Sequence, residues 1–338
     1  MTLRFFRRVL GALSIALALV LACAQISLAQ LFVGGYEGLE FFGSSQMTRA
    51  EMERILRLKP GASYKSVSLA VEKLKKQLEL RHLEGNVQLV SGDGGEIYIS
   101  ADIISQDNEM PTRALRPPQH VDYRSEKPAM LLEKLHERIA FLESQGRPLS
   151  EQIKDGIRYY SDEPCNQIVK ELIEFAPDMR LELLSLIDHD PNAIRRRTAV
   201  ELLNWAGEVP DTTLRLLPAL DDSDVGVRGM VARYIFPRLS YLPEDFPLPH
   251  LVQACSRLLR RPSHQDRSKA VYMLLALSRK KPECLDQIRQ EDGAVIKELY
   301  QKTIIPSLRG GCKQLLKAFS VQEAKRKEGR EDFPFLPP

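Results

Sequence analysis

The chain has 338 residues, enough for two modest domains with buried cores. It carries 48 Lys and Arg against 45 Asp and Glu, with few aromatics and a single tryptophan, Trp205. The basic excess is confined to Arg4, Arg7 and Arg8, the only charged residues before Glu37. Without those three the count is 45 against 45, which excludes a general electrostatic attraction to nucleic acid.

Residues 1–29 have the three zones of an export signal. The arginines form a basic start, Val9 to Leu21 is apolar, and Ser27-Leu28-Ala29 offers the small residues a signal peptidase reads, with cleavage before Gln30. The apolar run is shorter than the roughly 20 residues of a comfortable membrane span, and no later stretch comes close. Three alternatives stand beside simple cleavage. Val20-Leu21-Ala22-Cys23 resembles a lipobox and would make Cys23 a lipidated first residue, Arg7-Arg8 resembles a twin-arginine signal, and the segment could remain as an uncleaved anchor. The expected location is the periplasm, or the envelope by a lipid anchor.

Residues 36–105 read as a small α+β unit in the order strand, helix, helix, strand, strand. Glu40-Phe41-Phe42 is a short apolar strand. Thr48 with Glu51 has capping-box spacing, and Met52, Ile55 and Leu56 share one helix face. Leu58-Lys59-Pro60-Gly61 ends that helix and Ser63 caps the next, whose Val67, Ala70, Val71, Leu74 and Leu78 recur at helical spacing. Asn86–Val90 and Ile97–Ile103 are strands joined at Gly92-Asp93-Gly94-Gly95.

This order, with Leu58-Lys59-Pro60-Gly61-Ala62-Ser63-Tyr64 between the helices, resembles the POTRA domain over about one fifth of the chain. The resemblance implies a periplasmic unit that binds unfolded or partner polypeptides, in many members by accepting a strand at a sheet edge. It also implies that the first hairpin strand, with Val87 and Leu89, lies at that edge. The long membrane barrel that follows such domains in some family members has no counterpart after residue 112.

Residues 106–128 read as an extended inter-domain linker with Pro111, Pro117, Pro118 and Pro128. Arg113, Arg116 and Arg124 there form either a small basic patch or a set of solvated charges. From 129 to 320 the pattern is helical throughout, with no strand run, and 321–338 is a charged, Pro-rich tail. A repeat organises the helices. Asp190-Pro191-Asn192-Ala193-Ile194-Arg195 opens one helix and Asp224-Val225-Gly226-Val227-Arg228 opens another, with Arg228 33 residues after Arg195. Ala199 and Ala232 follow each Arg by four, and then come Leu202-Leu203 and Ile235-Phe236. A weaker third copy has Ala270 with Met273-Leu274. In each copy an Asp can cap the helix, a small Ala permits close approach, and the large pair fills the layer between copies. The pattern resembles the HEAT repeat, which implies an all-α solenoid that scaffolds partner proteins.

No catalytic constellation stands out. There is no Gly-x-Ser-x-Gly and no phosphate-binding loop. His136-Glu137 lacks a second His, since Ala140 stands there. Asp222-Ser223-Asp224 starts like a calcium loop but meets Arg233 where a Glu is needed, and Asp188-His189-Asp190 falls at a repeat turn. Arg195, Arg196 and Arg197 are the sharpest basic cluster, either a partner-binding patch or three charges pointing in different directions. Cys165, Cys255, Cys284 and Cys312 lack metal-ligand spacing. Cys284 and Cys312 either form a disulfide across adjacent helices or lie buried as small apolar residues. The sequence points to a non-catalytic interaction scaffold with no catalytic residue, cofactor or metal, whose partners are proteins or polypeptide segments and not nucleic acid, with membrane contact only through a lipid anchor. An assembly factor that binds polypeptide by strand addition, and an enzyme using the solenoid groove, are the alternatives.

Overall fold

The computed structural model describes residues 34–42, 46–92, 94–104, 110–117, 126–147 and 149–327. The segment read as an export signal (with Cys23), the residue Arg124 and the chain after 327 lie outside these residues. The first unit comprises β1 (Tyr36–Phe42), α1 (Arg49–Leu56), α2 (Tyr64–Leu80), β2 (Glu84–Ser91) and β3 (Ile97–Ile104). The expected caps are in place. Thr48 and Glu51 form a reciprocal capping box at α1, and the Ser63 hydroxyl accepts from the Ser66 N–H at α2.

The sheet order is β1-β3-β2, with β1 parallel and β2 antiparallel to the central strand. Side chains alternate across it. Leu39, Val87, Ile97, Ile99, Ala101 and Ile103 join the apolar face of α1 and α2 in one core. The opposite face carries Glu40, Ser100 and Asp102, all buried, and Phe42, which packs on the core of the helical part. The sheet is therefore a middle layer, covered by its own helices on one side and by the helical part on the other. The loop between α1 and α2 folds onto the start of β1, where Gly61 N–H donates to Tyr36 O (2.8 Å) and Tyr36 N–H to Ala62 O (2.9 Å). A Cβ on Gly35 would lie 2.4 Å from Gly61 Cα, and Gly61 has φ +81°, so both positions need glycine.

The helical part begins with α3 (Glu126–Ser144) and then departs from the expected all-helical pattern. Glu151–Lys154 (β4) and Ile157–Tyr160 (β5) form an antiparallel hairpin. Asp155 (φ 52°) and Gly156 (φ 77°) make a two-residue turn with both central residues at positive φ, the geometry Asp-Gly favours. Ile153, Ile157, Tyr159 and Tyr160 beside that dipeptide are the strand signal that a search for helical period passes over. The hairpin is wedged into the helices: Trp205 Nε1 donates to Arg158 O (3.0 Å) and Arg238 Nε to Gly156 O (2.8 Å).

Next come α4 (Glu163–His189), α5 (Ala193–Leu202), α6 (Val209–Leu216), α7 (Val225–Ile235), α8 (Leu248–Leu259), α9 (His264–Lys280), α10 (Leu285–Lys302) and α11 (Pro306–Lys327). The last helix runs seven residues into the segment read as a tail. In sequence, α5, α7, α9 and α11 pack side by side, and α4, α8 and α10 lie behind them over one continuous apolar core. Asn192 and Asp224 cap α5 and α7 through the N–H groups of Ile194 (2.9 Å) and Val227 (2.8 Å). The cap of the first copy is thus Asn192 and not Asp190, which frees that aspartate for another task. Among the described residues no helix is long and apolar enough to cross a membrane.

Gly156→Ala should cost about 1–2 kcal/mol, since its Cβ would sit at positive φ and 2.5 Å from Val209 Cγ2. Urea unfolding followed by the fluorescence of buried Trp205 measures the shift; an unchanged midpoint would contradict the wedge.

Candidate functional site

Three arginines on successive inner helices build a buried ladder. Arg196 (α5) donates to both oxygens of Asp222 (3.0 and 2.6 Å) and to the carbonyls of Asp190 (2.8 Å) and Pro191 (3.1 Å). Arg228 (α7) repeats this with Asp266 Oδ2 (3.0 and 2.6 Å) and the carbonyls of Asp222 (2.7 Å) and Ser223 (3.1 Å). Both reach the carbonyls five and six residues upstream, so the structural repeat aligns Arg196, not Arg195, with Arg228. One residue on a helix is about 100° of rotation, and this decides the fate of the cluster. The Arg196 side chain is 2% exposed, whereas Arg195 and Arg197 are 48% and 42% exposed. Arg195 pairs with Asp190 (3.1 Å) and Arg197 with Asp224 (2.5 Å). The arginines fan out to three separate carboxylates of this chain and do not form one basic patch.

Arg267 (α9) is the third rung. Its Nη1 reaches the Arg261 carbonyl, again six residues upstream (3.3 Å). The next repeat would supply a carboxylate ahead of α11, but Thr303-Ile304-Ile305-Pro306 stands there. The partner comes from the sheet: Asp102 on β3 accepts from Arg267 at 2.6 and 3.1 Å. Around this pair, Glu40 accepts from Ser100 Oγ (3.1 Å) and from Thr303 Oγ1, and meets His264 Nδ1 at 3.1 Å. Arg267 also stacks over the Phe42 ring at 4.0 Å. The small unit is thereby wired to the helical part through charges 0–7% exposed.

The linker is wired as well. Residues 110–117 form no helix or strand, and they run along the inter-helix turns. Pro111 O accepts from Arg261 (2.9 Å), Arg113 N–H donates to Asp221 O (2.8 Å), Arg116 N–H donates to Asp188 O (3.0 Å), and Pro117 O meets His189 Nδ1 (2.7 Å). About three extended residues per repeat cover roughly 10 Å, the spacing of packed helices. Arg113 is not a solvated charge, since its guanidinium lies between Asp222 (2.9 Å) and Asp188 (3.0 Å). Asp188 and His189, read as turn residues, are the seats of this strap. Arg116 is largely exposed.

At the sheet, β2 is an edge strand with no strand beyond it among the described residues. Val87 and Leu89 turn into the core under α1 and α2, while Gln88 points to the helical part and reaches Ser263 Oγ at 3.4 Å. What β2 presents outward is backbone.

Cys284 and Cys312 are free thiols, as are Cys165 and Cys255; all four are buried, and no disulfide joins the first two. Burial pushes Cys165 and Cys284 up to about 11 and Cys312 up to about 12, so they are protonated, weak nucleophiles at neutral pH. Among the described residues no group of three or more His, Cys, Asp or Glu is placed to hold a metal. No protein-family model, no curated protein and no solved structure matches the chain.

Asp102→Ala should destabilise the protein by about 3–5 kcal/mol, because it strands a buried guanidinium; adding Arg267→Met should recover most of the loss. Chemical unfolding of both variants tests this, and equal losses in the two would refute the pairing.

A pH dependence follows from the same groups. Burial alone would raise Glu40 and Asp222, but His264 and Thr303 at the first, and Arg196, the Asp224 N–H and Arg113 at the second, outweigh it and hold both below their ordinary values. Arg197 lowers Asp224. Such carboxylates add stability that is complete above their unfolded values of 4.5 and 3.8 and is lost as pH falls through the lower folded values. Asp102 has the opposite sign, raised by burial against Arg267, so its contribution declines as pH rises. Among the described residues five carboxylates are lowered (Glu40, Asp222 and Asp224 with Glu51 and Asp162) and two are raised (Asp102 and Asp292), so stability should fall steadily below pH ~4. Circular dichroism melts at pH 6 and pH 3 measure it, and a higher midpoint at pH 3 would reverse the sign.

Proposed function

We propose that the chain is an exported, non-catalytic adaptor, with a POTRA-like unit that takes up a polypeptide strand and a HEAT-type helical solenoid that scaffolds a partner. The observation that carries this reading is the difference between the two sheet edges. The β1 edge is closed at Tyr36 by the loop around Gly61, and no strand pairs with the outer side of β2 among the described residues. An open edge offers unpaired donors and acceptors in register, the chemistry of strand addition. The recurrence of the arginine rung at Arg196 and Arg228 supports the repeat reading. The three-zone N-terminus supports export, with a lipid anchor at Cys23 as the alternative route to the envelope. Because Asp102 and Arg267 lock the unit in place, a captured strand would be held at a fixed position relative to the helices.

Photo-crosslinking residues at Glu84 and Ser91, the exposed ends of β2, test this in the native cell. A defined polypeptide should be trapped there and not from Lys76 on α2. Leu89→Pro should reduce that capture about tenfold by removing a strand N–H, with the melting midpoint checked in parallel. Trapping that survives Leu89→Pro in a folded protein would eliminate strand addition.

A further inference from the structure

Arg158 and Arg238 are both 1% exposed. Arg238 is met by carbonyls alone, those of Gly156 (2.8 Å), Tyr234 (2.9 Å) and Asn204 (3.2 Å), and lies 4.2 Å over the Tyr234 ring. Arg158 is less well served. Its Nη2 reaches Arg233 O at 3.4 Å, the Tyr160 hydroxyl lies beside its guanidinium, its Nε stands 3.5 Å from Glu151 without a directed hydrogen bond, and Nε and Nη1 are left without a close partner. Glu151 also pairs with Arg233. Among the described residues it is the one carboxylate ion-paired to this group of arginines, and its side chain is one-third exposed. A native interior rarely leaves a guanidinium so poorly matched.

Beside Glu151 and Arg233 lies a cleft of about 440 Å³ between the hairpin and the turn after α7; Arg158 is not in its lining and adjoins it through its 3.5 Å contact with Glu151. Glu151 and Ile153 line one wall, and Arg233, Phe236, Pro237 and Tyr241 the other. Ile153 and Arg158 are register partners on the hairpin, as are Glu151 and Tyr160, so all four point from the same face toward the helices. Phe236 and Tyr241 are among the exposed large apolar residues of the chain.

We propose that this cleft binds the carboxylate of an acidic peptide segment, with an apolar neighbour resting on Phe236 and Tyr241. Glu151 holds the site as an internal substitute for that carboxylate. When its side chain swings outward, the incoming group meets Arg233 and the unsatisfied Nε and Nη1 of Arg158, a planar donor set suited to a carboxylate. This site is separate from the β2 edge and stands or falls without it.

The test uses the full mature chain and two fluorescein-labelled peptides, Gly-Phe-Glu-Phe-Glu-Leu-Gly and its Gln-for-Glu analogue, followed by anisotropy. The acidic peptide should bind at least about tenfold more tightly than the analogue, and the difference should shrink in high salt. Glu151→Gln should tighten binding about fivefold by removing the internal competitor, and Arg233→Gln should weaken it about tenfold. Acetate and inorganic phosphate at matched ionic strength are the competitors, and acetate should displace the peptide at the lower concentration. Equal binding of both peptides, or a folded Glu151→Gln protein with unchanged affinity, would overturn the proposal.

Discussion

Arg267 is buried on α9, and the carboxylate it meets belongs to another part of the chain. Arg196 and Arg228 each find theirs one repeat further along, at Asp222 and Asp266. At Arg267 the row has none left to give, because Thr303 occupies the turn before α11. Asp102 on the central strand of the sheet fills the gap. The rest of the interface follows from that contact. Placing Asp102 there brings Glu40, on the neighbouring strand of the same sheet face, against His264 and Thr303, and turns Phe42 into the helical core. A buried pair of this kind adds little net stability over an apolar contact of the same volume, but it is intolerant of misplacement, so it fixes where the small unit sits.

The path of the chain has the same logic. The small unit is docked at the α9–α11 end, while α3 begins the helical part at the other. Residues 110–117 cover part of the return and attach at turn after turn, with Arg113 inserted beside the Asp222 rung. Arginine suits each of these places because its fork can satisfy a carboxylate and a carbonyl at once, which a lysine ammonium on its flexible stem cannot do with the same direction. Part of the even balance of charge in the sequence is therefore taken up in internal pairs. Within it, the arginines behind the hairpin are conspicuous for having too few carboxylates.

Much of the small unit was legible in the sequence, because its signals are local. Thr48 with Glu51, Ser63, and the Pro60-Gly61 stop act within one turn of helix and are found where they were read. The same holds for the alternation of β2 and for the cap at Asp224, whereas the cap read at Asp190 falls on Asn192. The β4–β5 hairpin is equally legible in principle, through Asp155-Gly156, but the helical period of its surroundings masks it. The registration of the repeat was off by one residue, since Ala199 and the following leucines fit either Arg195 or Arg196, and only burial distinguishes them.

What the sequence by itself determined was the set of elements and their caps, because propensity, capping and period are properties of neighbouring residues. It also held a sign that went unread: Glu40, Ser100 and Asp102 alternate with the apolar residues of their strands, as they must if the second sheet face is to meet a polar partner. Tertiary structure alone decided what that partner is. Glu40 to Thr303 spans 263 residues, and Asp102 to Arg267 spans 165. Pairings across such separations are fixed by the shape of two assembled units and by the cost of leaving a buried charge unmet, neither of which any short stretch of sequence contains.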